Sequence, residues 1–231
     1  SRGFKAGGFN PVSPAGSEAY DEEYAWHVEG GIKSSALNGR VRFNAAAFWI
    51  DWEDLQLNLP NLQAPGQFYI ANVGSASSKG VEFEVNARAH RNVDLFGSFG
   101  YTHARFGDGT TSNGADVSGN TIPNTPAFTA ALGAQLTREL TPWATLYGSG
   151  ELVVYGAFKY DDANLAEQDA YSLANVRAGV RGKYVFAEGW IRNVFDTFYV
   201  PVAFAFPGAP SGFLGESGRP RTFGVTAGVR F

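Results

Sequence analysis

The 231-residue chain contains no cysteine, which excludes a disulfide framework, a thiolate metal site and a cysteine nucleophile. It also contains no methionine, so it lacks an initiator residue, and its opening stretch SRGFKAGGFN is not a signal peptide. We therefore expect either a mature protein or a piece of a larger one. No run of eighteen apolar residues occurs, which excludes a transmembrane helix but leaves open a membrane barrel, whose strands alternate.

Basic and chemically reactive residues are also scarce. The formal net charge is −4, so the basic surface of a nucleic-acid-binding protein is missing. Of the three histidines, His27 and His103 fall on predicted strands and His90 in a predicted short turn, without a metal-binding or catalytic spacing. The sequence indicates no nucleophile with a base positioned beside it. We expect no enzyme, no resident cofactor and no metal site.

Strand-type alternation is the main positive signal. In KGVEFEVNARA, apolar residues occupy every second position from Val81 to Ala89, and Glu82, Glu84, Asn86 and Arg88 lie between them. The same period of two occurs in AWHVEGGIK, GRVRFNAAAFW, LANVRAGVRG and the final TFGVTAGVRF. Five outward positions correspond to about ten residues, the length that a tilted strand needs to cross a bilayer.

The pattern predicts ten strands and one domain over residues 1–231, with no helix. The strands fall at 1–5, 23–35, 40–54, 79–89, 93–104, 127–137, 143–156, 170–181, 186–196 and 219–231. The seventh and ninth strands alternate poorly, which leaves their faces open. The connections alternate in length: 6–22, 55–78, 105–126, 157–169 and 197–218 are long, and the others are short. This ordering is typical of an antiparallel up-and-down barrel with all long loops at one end.

The alternation allows two interpretations, a soluble barrel with its apolar face inside or a membrane barrel with that face on lipid. Loop asymmetry, outward Ala and Gly residues and aromatic residues near strand ends favour the membrane. The aromatic residues are Trp49, Trp52, Tyr101, Trp143, Tyr155, Tyr199 and Phe231. The interior charges would be His27, Glu29, Lys33, Arg40, Arg42, Glu82, Glu84, Arg88, Arg177, Arg181 and Arg230.

Seven stretches, in order, resemble the C-terminal half of the barrel of TonB-dependent outer-membrane receptors. They are SRGFKAGGFN, VEGGIKS, FNAAAFWIDWEDLQL, NVGSASSKGVEFEV, NTIPNTPAF, IRNVFDTFYV and GRPRTFGVTAGVRF. The resemblance implies a fragment of a 22-stranded barrel in a Gram-negative outer membrane, whose plug domain and TonB-contacting segment are not visible here. It further implies uptake of a scarce nutrient. The most common cargo in the family is an iron–siderophore complex, and cobalamin and glycans are less common. The alternative is a small stand-alone ten-stranded barrel with a structural, adhesive or passive-pore role.

The resemblance also assigns residues. The last strand resembles the signal read by the barrel assembly machinery, which we assign to Phe223, Val225, Val229 and Phe231, although Phe231 as a simple interface anchor is compatible. Arg219 and Arg221 match a family motif and are expected to be structural.

Loop residues give weaker candidates. Phe204, Phe206 and Phe213 make the last long loop unusually apolar, so we expect that loop to fold over the barrel mouth or to contact a metal chelate or another small-molecule ligand. Asp108, Asn113 and Asp116 offer oxygen ligands of the Ca²⁺ type. Asp161 and Asp162, with Lys159 and Tyr160, lie in another long loop and are candidates for contact with a substrate. A solvated loop is the alternative for both groups.

Overall fold

The computed structural model describes residues 1–229, and every regular element among them is a β-strand. Ten strands form one large antiparallel sheet. They are β1 (Arg2–Lys5), β2 (Glu23–Ala36), β3 (Val41–Glu53), β4 (Ala76–His90), β5 (Val93–Phe106), β6 (Phe128–Thr141), β7 (Ala144–Tyr155), β8 (Tyr171–Gly182), β9 (Val185–Arg192) and β10 (Thr222–Val229). Across the described residues, no helix is long and apolar enough to cross a membrane.

Each strand pairs with the strands before and after it in the chain, which confirms the predicted up-and-down order. Within residues 1–229, no pairing joins β1 to β10, so this sheet does not close as a ten-stranded barrel. An open edge in a bilayer leaves backbone N–H and C=O groups without partners. The open sheet is compatible with a section of a barrel that has more strands.

The predicted bounds of the strands are close to the observed ones, with three corrections. His90 ends β4 rather than lying in the turn, because the register shift between Arg88 and His90 lets pairing continue. Arg40 lies in the turn between β2 and β3. Strand β9 ends at Arg192, short of the predicted 196, because Asn193 has a positive φ of 49° that breaks the strand.

One face of the sheet is apolar and uncovered. Directly opposed pairs on this face include Val28 with Trp49 and Phe83 with Phe99. The exposed fraction of Val28 is 69%, far above what a soluble core allows. The two strands with unclear alternation follow the same rule, since Leu152 of β7 and Ile191 of β9 face outward. An apolar surface of this extent is the lipid-facing surface of a membrane barrel.

The opposite face repeats one packing device, an aromatic ring laid over a glycine of the next strand. Five directly opposed pairs share it: Phe48 with Gly80, Phe96 with Gly133, Tyr147 with Gly179, Trp190 with Gly224 and Phe186 with Gly228. At Gly133, an added Cβ would lie 2.2 Å from the Phe96 ring. These glycines therefore provide the space that inward aromatic rings need to lie flat on the wall.

Three of the aromatic residues predicted at the membrane borders do not face lipid. Trp52 packs on a buried cluster beneath the long loops. Tyr155 and Tyr199 stack on either side of Tyr171 on the inward face, with ring centroids 5.0 and 4.7 Å apart. Successive residues of a strand point to opposite faces, and Tyr155 directly follows the outward-facing Val154, so the Tyr155 ring faces inward. Phe231 lies outside the described residues.

Candidate binding site

The long connections form five loops, which we number L1 (6–22), L2 (54–75), L3 (107–127), L4 (156–170) and L5 (193–221). Each contains a short two-stranded hairpin that the sequence did not predict. The hairpins pair Gly8–Phe9 with Ala19–Tyr20, Gln56–Pro60 with Phe68–Asn72, Thr111–Ser112 with Ala115–Asp116, Phe158–Lys159 with Glu167–Gln168, and Val202–Ala205 with Phe213–Glu216.

The buried core of the chain lies among these loops, not between sheets. Its members are Leu55, Leu59, Tyr69, Val73, Ala76, Phe106 and Val117. Phe106 and Val117 are only 2% and 1% exposed. L2 and L3 are thus folded as a packed unit on top of β4 and β5, because burial of this apolar surface holds them together.

L2 is joined to L3 by a hydrogen bond between side chains. The Tyr69 hydroxyl donates to Oδ1 of Asn113 over 2.9 Å. Burial, followed by the nearby charge of Asp162 in L4, raises the pKa of the Tyr69 phenol. The phenol is therefore a proton donor at neutral pH, and its bond fixes the tip of L3.

L3 is joined to L4 by a two-way amide contact. Oδ1 of Asn164 accepts from the Thr121 N–H over 2.8 Å, and Nδ2 of Asn164 donates to the Thr121 carbonyl over 2.9 Å. Asn120 adds a bond of 3.0 Å from its Nδ2 to the carbonyl of Asp162. Asn164 has a φ of 58°, a left-handed conformation that asparagine adopts more readily than most residues.

L4 is joined to L5 through Tyr160 and Gln168. The Tyr160 hydroxyl donates to the Val200 carbonyl over 2.6 Å, and Oε1 of Gln168 accepts from the Val200 N–H over 2.8 Å. Burial raises the pKa of the Tyr160 phenol. Both backbone groups of Val200 are therefore held by side chains of L4.

L5 then returns to L2. The rings of Phe204 and Phe68 meet edge to face, with centroids 5.7 Å apart. Phe206 lies beside Gly66, where an added Cβ would be 3.8 Å from its ring. L2, L3, L4 and L5 are therefore linked in a closed cycle of contacts, which we call the loop ring.

L1 is attached to L2 by hydrogen bonds. Asn10 binds both backbone groups of Ile70 in L2, donating from Nδ2 to the carbonyl and accepting from the N–H at Oδ1, each over 2.8 Å. Gln56 of L2 donates to the Asp21 carbonyl over 2.8 Å. All five loops are thus connected to one another.

The three phenylalanines predicted as one ligand-contacting group are separated by the hairpin of L5. Phe204 and Phe206 face L2, as described above. Phe213 is opposite Ala205 on the other side of the hairpin and lines a cleft of about 750 Å³ between L4 and L5. Tyr160, Gln168, Tyr171, Phe198 and Val200 line the same cleft. The cleft offers aromatic rings, an amide and phenols to a ligand of small-molecule size.

Sequence reasoning selected Tyr160 as a candidate for substrate contact but did not select Gln168, Phe198 or Val200. The only signal available was the density of aromatic residues in FKYDD and DTFYV, which also fits interface anchoring. Their role depends on L4 and L5 meeting, and that contact is invisible in one-dimensional spacing.

Two of the three candidate Ca²⁺ ligands bind groups of the protein through their side-chain oxygens. Asn113 binds Tyr69, and Oδ1 of Asp116 accepts from the Ser118 N–H over 2.9 Å. Asp161, a candidate for contact with a substrate, caps its own loop by accepting from the N–H groups of Leu165 and Ala166. Over residues 1–229, no group of three or more His, Asp or Glu side chains is placed to hold a metal ion.

The predicted interior charges on the described wall strands face inward, and several of them bind neighbouring polar groups, whereas Arg40 lies in a turn. Arg177 donates from Nε to Ser149 over 2.9 Å and lies 3.9 Å from Glu188. Glu84 accepts from Asn44 over 3.1 Å. Arg230 lies outside the described residues.

The motif IRNVFDTFYV forms the junction between β9 and β10. The buried side chain of Asn193 donates to the carbonyls of Thr197 and Arg219 over 2.9 and 3.1 Å and accepts from the Thr197 N–H over 2.9 Å. Asp196 accepts from the Arg221 N–H over 2.7 Å. Arg219 takes part through its backbone carbonyl, and Arg221 takes part through its N–H and through its guanidinium, which donates to the Val194 carbonyl over 3.4 Å.

Phe223, Val225 and Val229 of the closing strand project outward and are exposed at the free edge of β10. This position is compatible with the predicted assembly signal, which stays a prediction. Phe231, its last member, is outside the part of the chain that the structure describes.

The fold and the loop ring define a class: a section of a large membrane β-barrel with its loop end covered by packed loops. The family described as TonB dependent receptor-like, beta-barrel matches residues 1–200. The chain belongs to this family. It is accordingly part of an integral β-barrel of the Gram-negative outer membrane.

Individual relatives agree with this assignment. The ferrichrome outer membrane transporter and phage receptor of Escherichia coli K12 is 29% identical over 147 residues, which is 60% of this chain and 19% of that protein. The ferric yersiniabactin uptake receptor of Yersinia pestis matches 100% of this chain and 34% of its own, with a TM-score of 0.84 at 21% identity. The ferric preacinetobactin receptor of Acinetobacter baumannii matches 99% of this chain and 33% of its own, with a TM-score of 0.72 at 20% identity. The chain thus spans about a fifth to a third of these relatives.

Proposed function

We propose that residues 1–231 are the C-terminal part of the barrel of an outer-membrane receptor that binds a ferric siderophore complex and imports it with energy from TonB. The loop ring with its cleft is the observation that carries the proposal. It provides a pre-formed, aromatic-lined surface at the outer end of a barrel section. The similar proteins named above are receptors or transporters for ferrichrome, ferric yersiniabactin and ferric preacinetobactin.

The partners follow from this role. The barrel would enclose a plug domain, contact TonB through a segment outside this chain, and be inserted by the barrel assembly machinery into outer-membrane lipid. The chain supplies wall, loops and anchorage, and no catalytic step. A stand-alone pore or adhesin is disfavoured, because β1 and β10 do not pair within the described residues.

The test is uptake of radiolabelled iron by cells in which the full-length receptor is the sole ferric siderophore receptor. Ferrichrome, ferric yersiniabactin and ferric preacinetobactin are supplied separately. Uptake of cobalamin, which contains no iron, is measured as a second readout. We expect uptake of at least one ferric chelate, abolished when TonB is deleted. Uptake that persists without TonB, or uptake of cobalamin alone, would contradict the proposal.

A variant of the cleft between L4 and L5 separates cargo binding from folding. Phe213→Ser removes a ring from the cleft without touching the contacts between L5 and L2. We expect weaker chelate binding by cells, with receptor abundance in the outer membrane unchanged. The matched control is Leu214→Ser, on the opposite face of the same hairpin strand.

A further inference from the structure

Charged residues are divided unevenly between the two ends of the barrel section. Loops L1 to L5 contain twelve Asp or Glu residues and three Lys or Arg residues. The four short turns at the other end contain Arg40, Arg91 and Lys183 and no Asp or Glu. A ligand that approaches the loops therefore meets a negative electrostatic field, which attracts cations and repels anions.

The three loop cations do not supply positive charge to the cleft between L4 and L5. Lys159 pairs with Glu167, and the Arg221 guanidinium donates to the Val194 carbonyl over 3.4 Å. Arg219 and Arg221 lie just before β10, where L5 ends. Among the described residues that form the lining of the cleft, none is Lys, Arg or His. The lining therefore offers no cation to a negatively charged ligand.

Two carboxylates do line the cleft, those of Glu167 and Asp169. The ion pair with Lys159 neutralises the charge of Glu167. Asp169 is exposed, and its backbone carbonyl accepts a hydrogen bond from Gln168 over 2.9 Å. Within residues 1–229, the Asp169 carboxylate itself makes no hydrogen bond or ion pair. The cleft therefore holds one uncompensated negative charge.

Several polar donors of the lining are already used inside the protein. The Tyr160 hydroxyl donates to the Val200 carbonyl, and the Ser211 hydroxyl donates to the Phe213 carbonyl over 2.9 Å. The amide of Gln168 donates to Asp169, as described above. A buried charge is costly unless a partner replaces the water that it loses. An anionic chelate would lose water in this cleft without gaining such partners.

The aromatic rings of the cleft favour the opposite charge. Phe198 and Phe213 both contribute to the lining, and Phe198 is 76% exposed. The face of an aromatic ring carries partial negative charge and attracts ammonium and guanidinium groups. The rings and the Asp169 carboxylate therefore act in the same direction.

We propose that the cleft between L4 and L5 selects ferric chelates without net negative charge, and that it binds best those with a cationic group placed at Asp169 and the Phe198 ring. This inference rests on the proposed function, because it concerns the cargo of the same cleft. It adds the charge class of that cargo, which the receptor assignment alone leaves open.

Equilibrium binding of three radiolabelled ferric trihydroxamates to the full-length receptor in outer membranes tests the proposal. The three chelates share one iron centre and differ in a terminal ammonium, acetamide or carboxylate, which gives one positive charge, no charge or one negative charge. We expect the ammonium form to bind about threefold to tenfold more tightly than the acetamide form, and the carboxylate form to bind most weakly. Raising the ionic strength to about 1 M, where the Debye length is about 3 Å, should reduce these differences.

Substitution of Asp169 tests the origin of the preference. Asp169→Asn should reduce the affinity for the ammonium form toward that for the acetamide form and leave the acetamide form unchanged. The matched control is Asp108→Asn, which removes the same charge from an exposed position of L3 outside the lining. Asp169→Lys should reverse the order, so that the carboxylate form binds more tightly than the ammonium form.

The outcomes separate this inference from the receptor assignment. Equal affinities for the three chelates, tightest binding of the carboxylate form, or an unchanged preference in Asp169→Asn would overturn charge selection while ferric chelate binding still stood. A receptor that binds none of the three and imports no other ferric chelate would overturn the proposed function, and charge selection with it.

Discussion

Phe204 packs edge to face against Phe68, at 5.7 Å between ring centroids and 74° between ring planes. Phe204 lies between β9 and β10 in the chain and Phe68 between β3 and β4, and six wall strands separate the two junctions in the sheet. L5 and L2 must therefore lean toward each other across the inner side of the barrel section. This contact closes the loop ring.

Replacing Phe204 by Ala should open the loop ring at this point. Edge-to-face pairs contribute about 0.5–1.5 kcal/mol beyond area burial, so the contact is a weak member of the cycle. We expect faster proteolytic cleavage within residues 197–218 of the folded receptor. Phe198→Ala is the matched control, since Phe198 is in the same loop and largely exposed. Equal cleavage rates for wild type and Phe204→Ala would show that the contact does not restrain L5.

The glycines beneath inward rings should not tolerate even one methyl group. Gly133→Ala places a Cβ 2.2 Å from the Phe96 ring and 2.8 Å from the Gly150 carbonyl. Overpacking of this kind costs about 1–3 kcal/mol. We expect a lower unfolding temperature of the folded band on cold SDS gels. Gly189→Ala, on the lipid side with nothing within 4 Å, should unfold like the wild type. The opposite ranking would contradict the packing described.

Asn193 should be the most sensitive polar residue at the β9–β10 junction. Asn193→Ala removes three hydrogen bonds from a buried site and leaves the Arg219 carbonyl without that donor. A buried group left without its partner costs about 1–3 kcal/mol. We expect reduced amounts of folded receptor in the outer membrane.

Arg219→Ala is the control for Asn193, because only the Arg219 carbonyl takes part in that bond. Its folded yield should stay near the wild-type level. A loss with Arg219→Ala equal to that with Asn193→Ala would show that the guanidinium, not the backbone, holds the junction.

Alkaline pH should loosen the contact between L4 and L5. The pKa of Tyr160 is raised above its ordinary value of 10.0, so the folded loops favour the protonated phenol. This contribution to stability is complete below pH 10 and is lost as pH rises through the raised pKa. We expect the rate at which an alkaline-active protease cleaves L5 to increase when the pH exceeds 10. This increase should be larger than the increase in the rate at which the same protease cleaves a peptide substrate.

Tyr160→Phe tests the origin of this alkaline change. It removes both the titrating hydroxyl and the bond to Val200, so cleavage should be faster at neutral pH and part of the alkaline step should disappear. Tyr69, whose pKa is also raised, would account for the remainder. An alkaline step of unchanged size in Tyr160→Phe would exclude this hydroxyl as its source.

The wall was predictable from sequence because its strands obey a period of two over ten or more residues. The faces of β7 and β9 could not be read, since Gly148, Gly150 and Gly189 face outward and blur the alternation. Pairing with β8 and β10 decides their orientation. The outward faces of β7 and β9 therefore follow from their pairing register and not from their own composition.

The loop end was largely unpredictable for a different reason. Its hairpins have strands of two to five residues, too short for a periodic signal. Contacts such as Asn164 with Thr121 join residues from different loops, and no local rule anticipates them. The sequence also did not indicate that Phe204 and Phe213 lie on different faces of the hairpin, because this depends on the register that pairs Phe204 with Leu214 and Phe213 with Ala205.

The central claim is that this open ten-stranded sheet is the wall of a larger receptor barrel. The most direct test is the size of the native protein in outer-membrane fractions, detected with an antibody against residues 105–126. Twenty-two strands at roughly 23 residues each require about 500 barrel residues, plus a plug. We predict a band several times larger than 24.8 kDa. A band near 24.8 kDa that shifts on heating would show a closed small barrel and contradict the receptor assignment.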